Sequence, residues 1–214
     1  MRPWYNSIMA QIFSHRNEAG RLLGQAILRK YPSIKNGIIL SLPRGGVVIG
    51  SEVAKLLNLP MGIIVTRKIG APFNSEYAIA AVSEHKIIFS AHEKIDKGYI
   101  KRETIKERQE ITRRLIKYRG KKSSLNLRGR TVFLVDDGLA TGLTMEVAIK
   151  EVRWQNPAKV IVAVPVAPPS TIEKLRQKVD DILVLKIEPT FFSVGQFYDN
   201  FDQVSDEEVI KLLE

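Results

Sequence analysis

Residues Thr131–Met145 read TVFLVDDGLATGLTM, and this stretch decides the architecture. Val132, Phe133, Leu134 and Val135 make a short unbroken apolar run, the pattern of a parallel strand buried on both faces. Two adjacent acids, Asp136 and Asp137, follow at its carboxyl end, where open α/β sheets bind their ligands. Ala140, Thr141, Gly142 and Thr144 then form a loop of small residues opening onto a helical pattern. The backbone N–H groups of such a loop and the helix N-terminus suit a phosphate, and the hydroxyls of Thr141 and Thr144 add donors. An acidic pair for a diol beside a phosphate cradle describes a site for a ribose 5-phosphate. The plainer alternative is a strand–turn–helix corner with a capping Asp. No Gly-Lys-Ser/Thr follows, so this is not a Walker loop, and no G-x-G-x-x-G dinucleotide fingerprint is present.

Working outward, the same strand–helix alternation recurs. Ser14 is placed to cap a helix to about Lys30, with Ala19, Leu22, Leu23, Ala26 and Ile27 on one face. Ile38–Leu42 reads as a core strand, broken by Pro43-Arg44-Gly45-Gly46 before a helix over Val47–Asn58. Met61–Thr66 reads as a second buried strand, so this unit is a right-handed parallel crossover. Ala78–Val82 and Lys86–Ser90 suggest an antiparallel hairpin, and His92–Tyr118 a mostly exposed, very polar helix. Gly120–Asn126 reads as a polar loop. After the opening strand and its helix come strands at Val160–Val164 and Ile182–Lys186 around a short helix, and Ser205 caps a final helix. The expectation is one α/β domain over residues 1–214: a doubly wound, mostly parallel sheet of about five strands. A hairpin and long helix are inserted at about 78–126, and a small hood lies at about 188–204.

Cysteine is absent, which excludes disulfides and Cys-ligated metal sites and fits a reducing compartment. The first residues, MRPWYNSIMAQIF, lack the apolar core of a signal peptide, and no stretch approaches the ~18 apolar residues of a membrane span. A cytoplasmic protein without membrane contact is expected. The net charge of +10 is local: Lys94–Arg130 holds 14 Lys/Arg against 4 Asp/Glu, and the rest of the chain balances. That segment is either a solvated helical face or a surface for an anion such as substrate phosphate, nucleic acid or an acidic partner. No helix-turn-helix is recognisable, so sequence-specific DNA reading is not favoured. His15, His85 and His92 have no metal-like spacing and are read as surface residues.

Two further strand ends carry basic residues. In Ser41-Leu42-Pro43-Arg44-Gly45-Gly46, the glycines let the backbone approach a ligand, and Arg44 offers a planar fork of donors to phosphate oxygens. Arg67-Lys68-Ile69-Gly70-Ala71-Pro72 reads as a loop whose basic residues could reach the same ligand from the other side.

With these residues in view, DDGLATGLT after a hydrophobic strand resembles the phosphoribosyl-pyrophosphate (PRPP) motif of type I phosphoribosyltransferases. Over nearly the whole chain, LPRGGV, VTRKIGAP, LRGRTVFLVDDGLATG, VPVAPPS and VGQFYDNFDQVSDEEV resemble a group of uncharacterised members of that family. The resemblance implies PRPP as donor and pyrophosphate as product, with a nitrogen nucleophile, a base or other amine, as acceptor. It implies that Asp136 and Asp137 hold the ribose hydroxyls, that Ala140–Thr144 wraps the 5-phosphate, and that Gly138 is among the substrate-binding residues. Arg44, Gly45 and Gly46 would form the pyrophosphate loop, in which the family often has a strained or cis peptide before Gly. Arg67 or Lys68 would reach the diphosphate, and Arg44, Lys68 and Asp137 would carry catalysis. Mg²⁺ would be bound mainly through substrate oxygens, since it keeps several waters and uses few protein carboxylates. A homodimer is implied by analogy alone. Ala140 occupies the position where the family's 6-oxopurine enzymes carry an Asp, so the pattern looks more like adenine- or orotate-type enzymes without fixing the acceptor. The aromatic segment Phe191–Tyr198 would help form a hood over the acceptor, or pack only against the sheet. The alternative is a regulatory protein that senses PRPP or a nucleotide and binds nucleic acid or a partner through its basic segment.

Overall fold

The computed structural model describes residues 13–90, 96–120 and 126–214. In chain order the first elements are α1 (Arg16–Lys30), β1 (Gly37–Ser41), α2 (Gly45–Leu57) and β2 (Met61–Ile63). Next come β3 (Arg67–Ala71), β4 (Asn74–Val82), β5 (Ile87–Phe89) and α3 (Lys97–Arg119). The chain closes with β6 (Thr131–Val135), α4 (Leu143–Trp154), β7 (Lys159–Ala167), α5 (Pro169–Arg176), β8 (Asp181–Ile187) and α6 (Asp206–Leu213). A short 3-10 helix, Val194–Phe197, lies between β8 and α6.

Five strands form one parallel sheet in the order β2-β1-β6-β7-β8. The apolar run read in the sequence is the central strand β6, with Val132 to Val135 all fully buried. One face packs under α4 and α5, through Val132, Leu134, Met145, Ile149 and Leu175. The other packs under α1 and α2, through Phe133, Leu23, Ile27, Ile49 and Val53. The connections run outward in opposite directions from β1 and β6, so the topological switch point, where such sheets bind ligands, falls between these two strands. Asp136 and Asp137 follow β6 there, and the Pro43–Gly46 turn follows β1.

Three elements differ from expectation. Residues 67–72 do not form a loop: Arg67–Ala71 is β3, the first strand of an antiparallel sheet β3-β4-β5. Two adjacent cations, a Gly and a following Pro hide this strand in the sequence; burial of Ile69 under α3 and the ladder to β4 hold it. The parallel strand before it stops at Ile63 rather than Thr66. Helix α1 begins one residue later than a Ser14 cap would place it. The His15 ring Nδ1 accepts the Glu18 N–H at 3.2 Å, while the Glu18 carboxylate takes the Ser14 N–H and hydroxyl at 2.6 and 2.7 Å.

The long helix α3 is anchored by Ile111, Leu115 and Tyr118, spaced i, i+4 and i+7 along one buried stripe. They pack with Val65, Ile69 and Val82 below and Val209 of α6 beside them. Ser205 caps α6 as expected, accepting the Glu208 N–H at 3.0 Å. The loop expected at 120–126 and the start of the segment 92–118 fall in part outside the described residues.

Candidate active site

The two loops at the switch point touch. A Cβ added to Gly45 would sit 1.9 Å from the Asp137 Oδ2, and one on Gly46 would sit 2.9 Å from the Asp136 Oδ1. Neither glycine has positive φ, so they are needed for this close approach rather than for conformation. The peptide between Pro43 and Arg44 is cis, one residue ahead of the Gly45-Gly46 pair.

The acid pair is not free to ionise as it would in water. Burial raises the Asp136 carboxyl well above the usual range, and the neighbouring Asp137 charge adds to this. Its Oδ1 accepts the Asp137 N–H at 2.8 Å. Burial also raises Asp137, against the pull of Arg16, whose Nε lies 2.8 Å from Oδ2. Between the unfolded Asp value of about 4 and the raised folded value, the native state holds the extra proton, so stability falls as pH rises through that window. Asp136→Asn keeps the Oδ1 acceptor and removes the charge. It is expected to raise the unfolding free energy at pH 7, a gain that fades toward pH 4. Urea unfolding at the two pH values measures this; a loss of stability at pH 7 would contradict it.

Arg16 is the residue that the sequence reading missed. It stands at the start of α1, on the same buried face as Ala19, Leu23 and Ile27. An arginine in register with an apolar stripe demands a buried partner, and that was the available signal. The guanidinium also donates to the Asp202 carbonyl at 2.8 Å and lies 3.8 Å from the centre of the Phe201 ring. From the same segment, the Tyr198 hydroxyl donates to the Asp137 carbonyl at 2.6 Å. Much of the aromatic stretch therefore supports the acid pair from behind. Phe197 is buried, Phe191 packs on it at 5.1 Å, and Phe192 alone of this group stands out, 87% exposed.

At the other end of the motif, Gly142 caps α4 in the left-handed region with φ of 71°, and no side chain caps the first-turn N–H groups. Thr141 is exposed and Thr144 half-buried. The Ala140 carbonyl accepts from the Thr171 hydroxyl. Ala140, Thr141, Lys174 and Phe192 share an open depression of about 460 Å³. Gly138 faces inward instead: a Cβ there would lie 2.7 Å from Val194 and 2.9 Å from Val166. Its smallness lets the 3-10 helix close over the loop.

The basic residues divide by strand face. Arg67 Nε donates to Glu107 of α3 at 2.7 Å, on the same side as Ile69. Lys68 is exposed and pairs across the ladder with Ala81, which packs on Leu143 and Val147 at the start of α4. Cross-strand partners share a face, so Lys68 projects on the side of the motif helix and Arg67 on the side of α3. Arg44, about a third exposed, lies 3.7 Å from Asp206 at the start of α6. Asp206 also takes Lys117 at 2.8 Å and the Tyr118 hydroxyl at 2.5 Å. These hydrogen bonds, Lys117 first, hold its carboxyl down at about 2, while burial and Asp206 push the Tyr118 phenol up to about 12.

No group of three or more His, Cys, Asp or Glu among the described residues could hold a metal by itself. Nor is any described helix long and apolar enough to cross a membrane. His15 and His85 are exposed, as read from the sequence, although the His85 Nδ1 lies 2.7 Å from the buried Glu151 carboxylate. His92 lies outside the described residues.

A doubly wound sheet with an acid pair, a small-residue loop and a Gly-Gly turn converging at its switch point belongs to the class of open α/β folds whose ligand sites lie at the strand carboxyl ends. The chain belongs to the phosphoribosyl transferase domain family, which matches residues 9–202. It is 35% identical over 211 residues to a Mycobacterium tuberculosis protein named "Putative phosphoribosyl transferase", seen in two strains. That match covers 95% of this chain and 47% of the relative, so the chain spans about half the length of the curated relatives it matches. The crystal structure of a Thermus thermophilus protein is similar, with 36% identity, a TM-score of 0.80, and coverage of 94% of this chain and 97% of that one. An Aquifex aeolicus structure shares the fold at 16% identity and a TM-score of 0.51, over 81% of this chain and 74% of that one.

Proposed function

We propose that this chain transfers a phosphoribosyl group from PRPP to a nitrogen nucleophile and releases pyrophosphate. The close approach of Gly45 and Gly46 to Asp137 and Asp136 carries this reading, because it sets a Gly-Gly turn that a diphosphate could approach against an acid pair that could accept from a diol. Asp136 and Asp137 accept from the ribose hydroxyls. The uncapped first turn of α4, with Thr141 and Thr144, takes the 5-phosphate. Arg44 leaves Asp206 for the diphosphate, and Lys68 approaches it from β3.

In the reaction the nucleophile's nitrogen bonds to ribose C1 as the C1–O bond breaks, and that bond's electron pair departs with pyrophosphate. The nucleophile's proton passes to water or to the departing group, since Ala140 offers no base. The transition state has oxocarbenium character, so the residues work by positioning and by stabilising the leaving charge. Phe192, exposed beside Ala140 and Thr141, offers a face on which a planar acceptor stacks. The donor set fits Mg²⁺ held mostly by substrate: two carboxylates are present, and one already holds Arg16. When bound, the ion would neutralise charge on the departing diphosphate.

Calorimetry with PRPP, pyrophosphate and ribose 5-phosphate tests the site. Asp136→Asn is expected to weaken PRPP binding by about 0.5–1.5 kcal/mol, the scale of a neutral hydrogen bond, because the amide offers the ribose one acceptor oxygen, although the variant is the more stable protein. Arg44→Ala should weaken pyrophosphate more than ribose 5-phosphate. Undiminished PRPP affinity in Asp136→Asn, or equal losses for both ligands in Arg44→Ala, would remove the assignment. A pyrophosphate-release screen over bases and small amines then tests transfer. PRPP binding without release from any acceptor would favour a PRPP sensor instead.

A further inference from the structure

A second cavity lies away from the switch point. It has a volume of about 400 Å³ and borders the open edge of β2, between the carboxyl ends of α3 and α4. Such a volume is within the range of small-ligand pockets. None of Arg44, Lys68, Asp136, Asp137 or the Ala140–Thr144 loop lines it.

Its walls are of two kinds. Leu40, Ile64, Leu115, Leu127 and Val152 are buried and make an apolar body. Trp154, 56% exposed, adds an aromatic face at the mouth. Ser83, Glu84, His85, Tyr118, Glu151 and Gln155 also line it, and among these polar residues stands Arg119, the last residue of α3. Along β2, the Ile64 N–H donates to Ser41 of β1, so the Ile63 backbone turns to the open edge. One Arg119 N–H reaches the Ile63 carbonyl there, at 3.3 Å. A guanidinium has five N–H donors, and this long bond to a neutral carbonyl is all that the described residues give it. Burial lowers the Arg119 pKa, as befits a cation short of counter-charge.

The acids nearby do not supply that counter-charge. The Glu151 carboxylate, 5% exposed, already takes the Ser83 hydroxyl at 2.6 Å, the His85 N–H at 3.1 Å and the His85 Nδ1 at 2.7 Å. These bonds fasten the β4–β5 turn to α4, and they outweigh its burial to keep it below the usual carboxylate range. Glu84 stands exposed on the rim and acts on Arg119 only through space.

We infer that this cavity is a second ligand site, for a small acid with an apolar or aromatic body whose anionic group pairs with Arg119. Neutral ligands of the same shape gain the apolar wall and nothing from the guanidinium. Cationic ligands meet it as a like charge.

The test uses the full chain with two probes of equal shape, 3-phenylpropanoate and 3-phenylpropan-1-ol. Binding is read by calorimetry and by the indole N–H NMR signal of Trp154, assigned with Trp154→Phe. The acid is expected to bind at least tenfold more tightly than the alcohol and to shift the Trp154 signal. Arg119→Gln should erase the difference between the probes, and Val152→Trp, which fills the cavity, should weaken both. The proposal fails if the wild-type protein binds the probes alike or binds neither. It fails equally if the acid binds without moving Trp154, a result that needs no variant to fold. Selectivity that survives Arg119→Gln would also overturn it.

Discussion

Arg16→Ala is expected to lose about 3–5 kcal/mol of stability at neutral pH, the scale for breaking a buried ion pair from one side. Arg16 and Asp137 are only 10% and 15% exposed, and the guanidinium also ties down the Asp202 carbonyl and the Phe201 ring. Alanine leaves a buried carboxylate whose pKa, already raised by burial, loses the one cation pulling it down. The native state then holds a proton that the unfolded chain has released, from about pH 4 upward. The deficit against wild type should therefore be largest at pH 7 and shrink toward pH 4.5. Urea unfolding at both values measures it. A deficit independent of pH would show that Arg16 acts by packing alone.

Gly45→Ala is the second large effect, expected at about 3 kcal/mol, the upper end of ordinary overpacking. The new methyl would meet Asp137 Oδ2 at 1.9 Å and Arg16 Nε at 2.7 Å, both within one buried pair. Relief requires the carboxylate, the guanidinium or the loop to move, and each movement parts the Gly-Gly turn from the acid pair. PRPP affinity and thermal stability should fall together. Gly129→Ala is the control: its methyl would meet nothing within 4 Å, though φ is +71°, so it reports backbone strain by itself. If Gly45→Ala costs no more than Gly129→Ala, the close approach of the two loops is not what Gly45 provides.

How far the sequence could be read depends on the range of the interactions involved. Strand β6 was legible because it is buried on both faces, which leaves an unbroken apolar run. The acids and small residues after it were legible for the same local reason. Strand β3 was not, since its stability comes from pairing with β4 and from α3 across Ile69. Of the adjacent cations Arg67 and Lys68, the sequence could not say which one Glu107 would take; strand alternation decides that once β3 is known to be a strand. Arg16 left a trace, a charge inside an apolar stripe, but its partner lies 121 residues away. Asp206 follows the Ser205 cap in the sequence, and its bonds to Lys117 and Tyr118 needed the packing of α6 on α3. The cavity at β2 is assembled from separate elements and has no motif at all.

Asp206 has a consequence for how the turn after β1 behaves in salt. Arg44 rests 3.7 Å from a carboxylate that also serves Lys117 and Tyr118. That carboxylate is an internal counter-ion: on the proposed function, an incoming diphosphate would exchange with it rather than meet a bare cation. The exchange trades one anion for another, so the net charge pairing at Arg44 changes little when ligand arrives. Added salt screens the resting contact as well as the incoming one. The affinity of this loop for anions should therefore depend less on ionic strength than the +10 charge of the chain suggests.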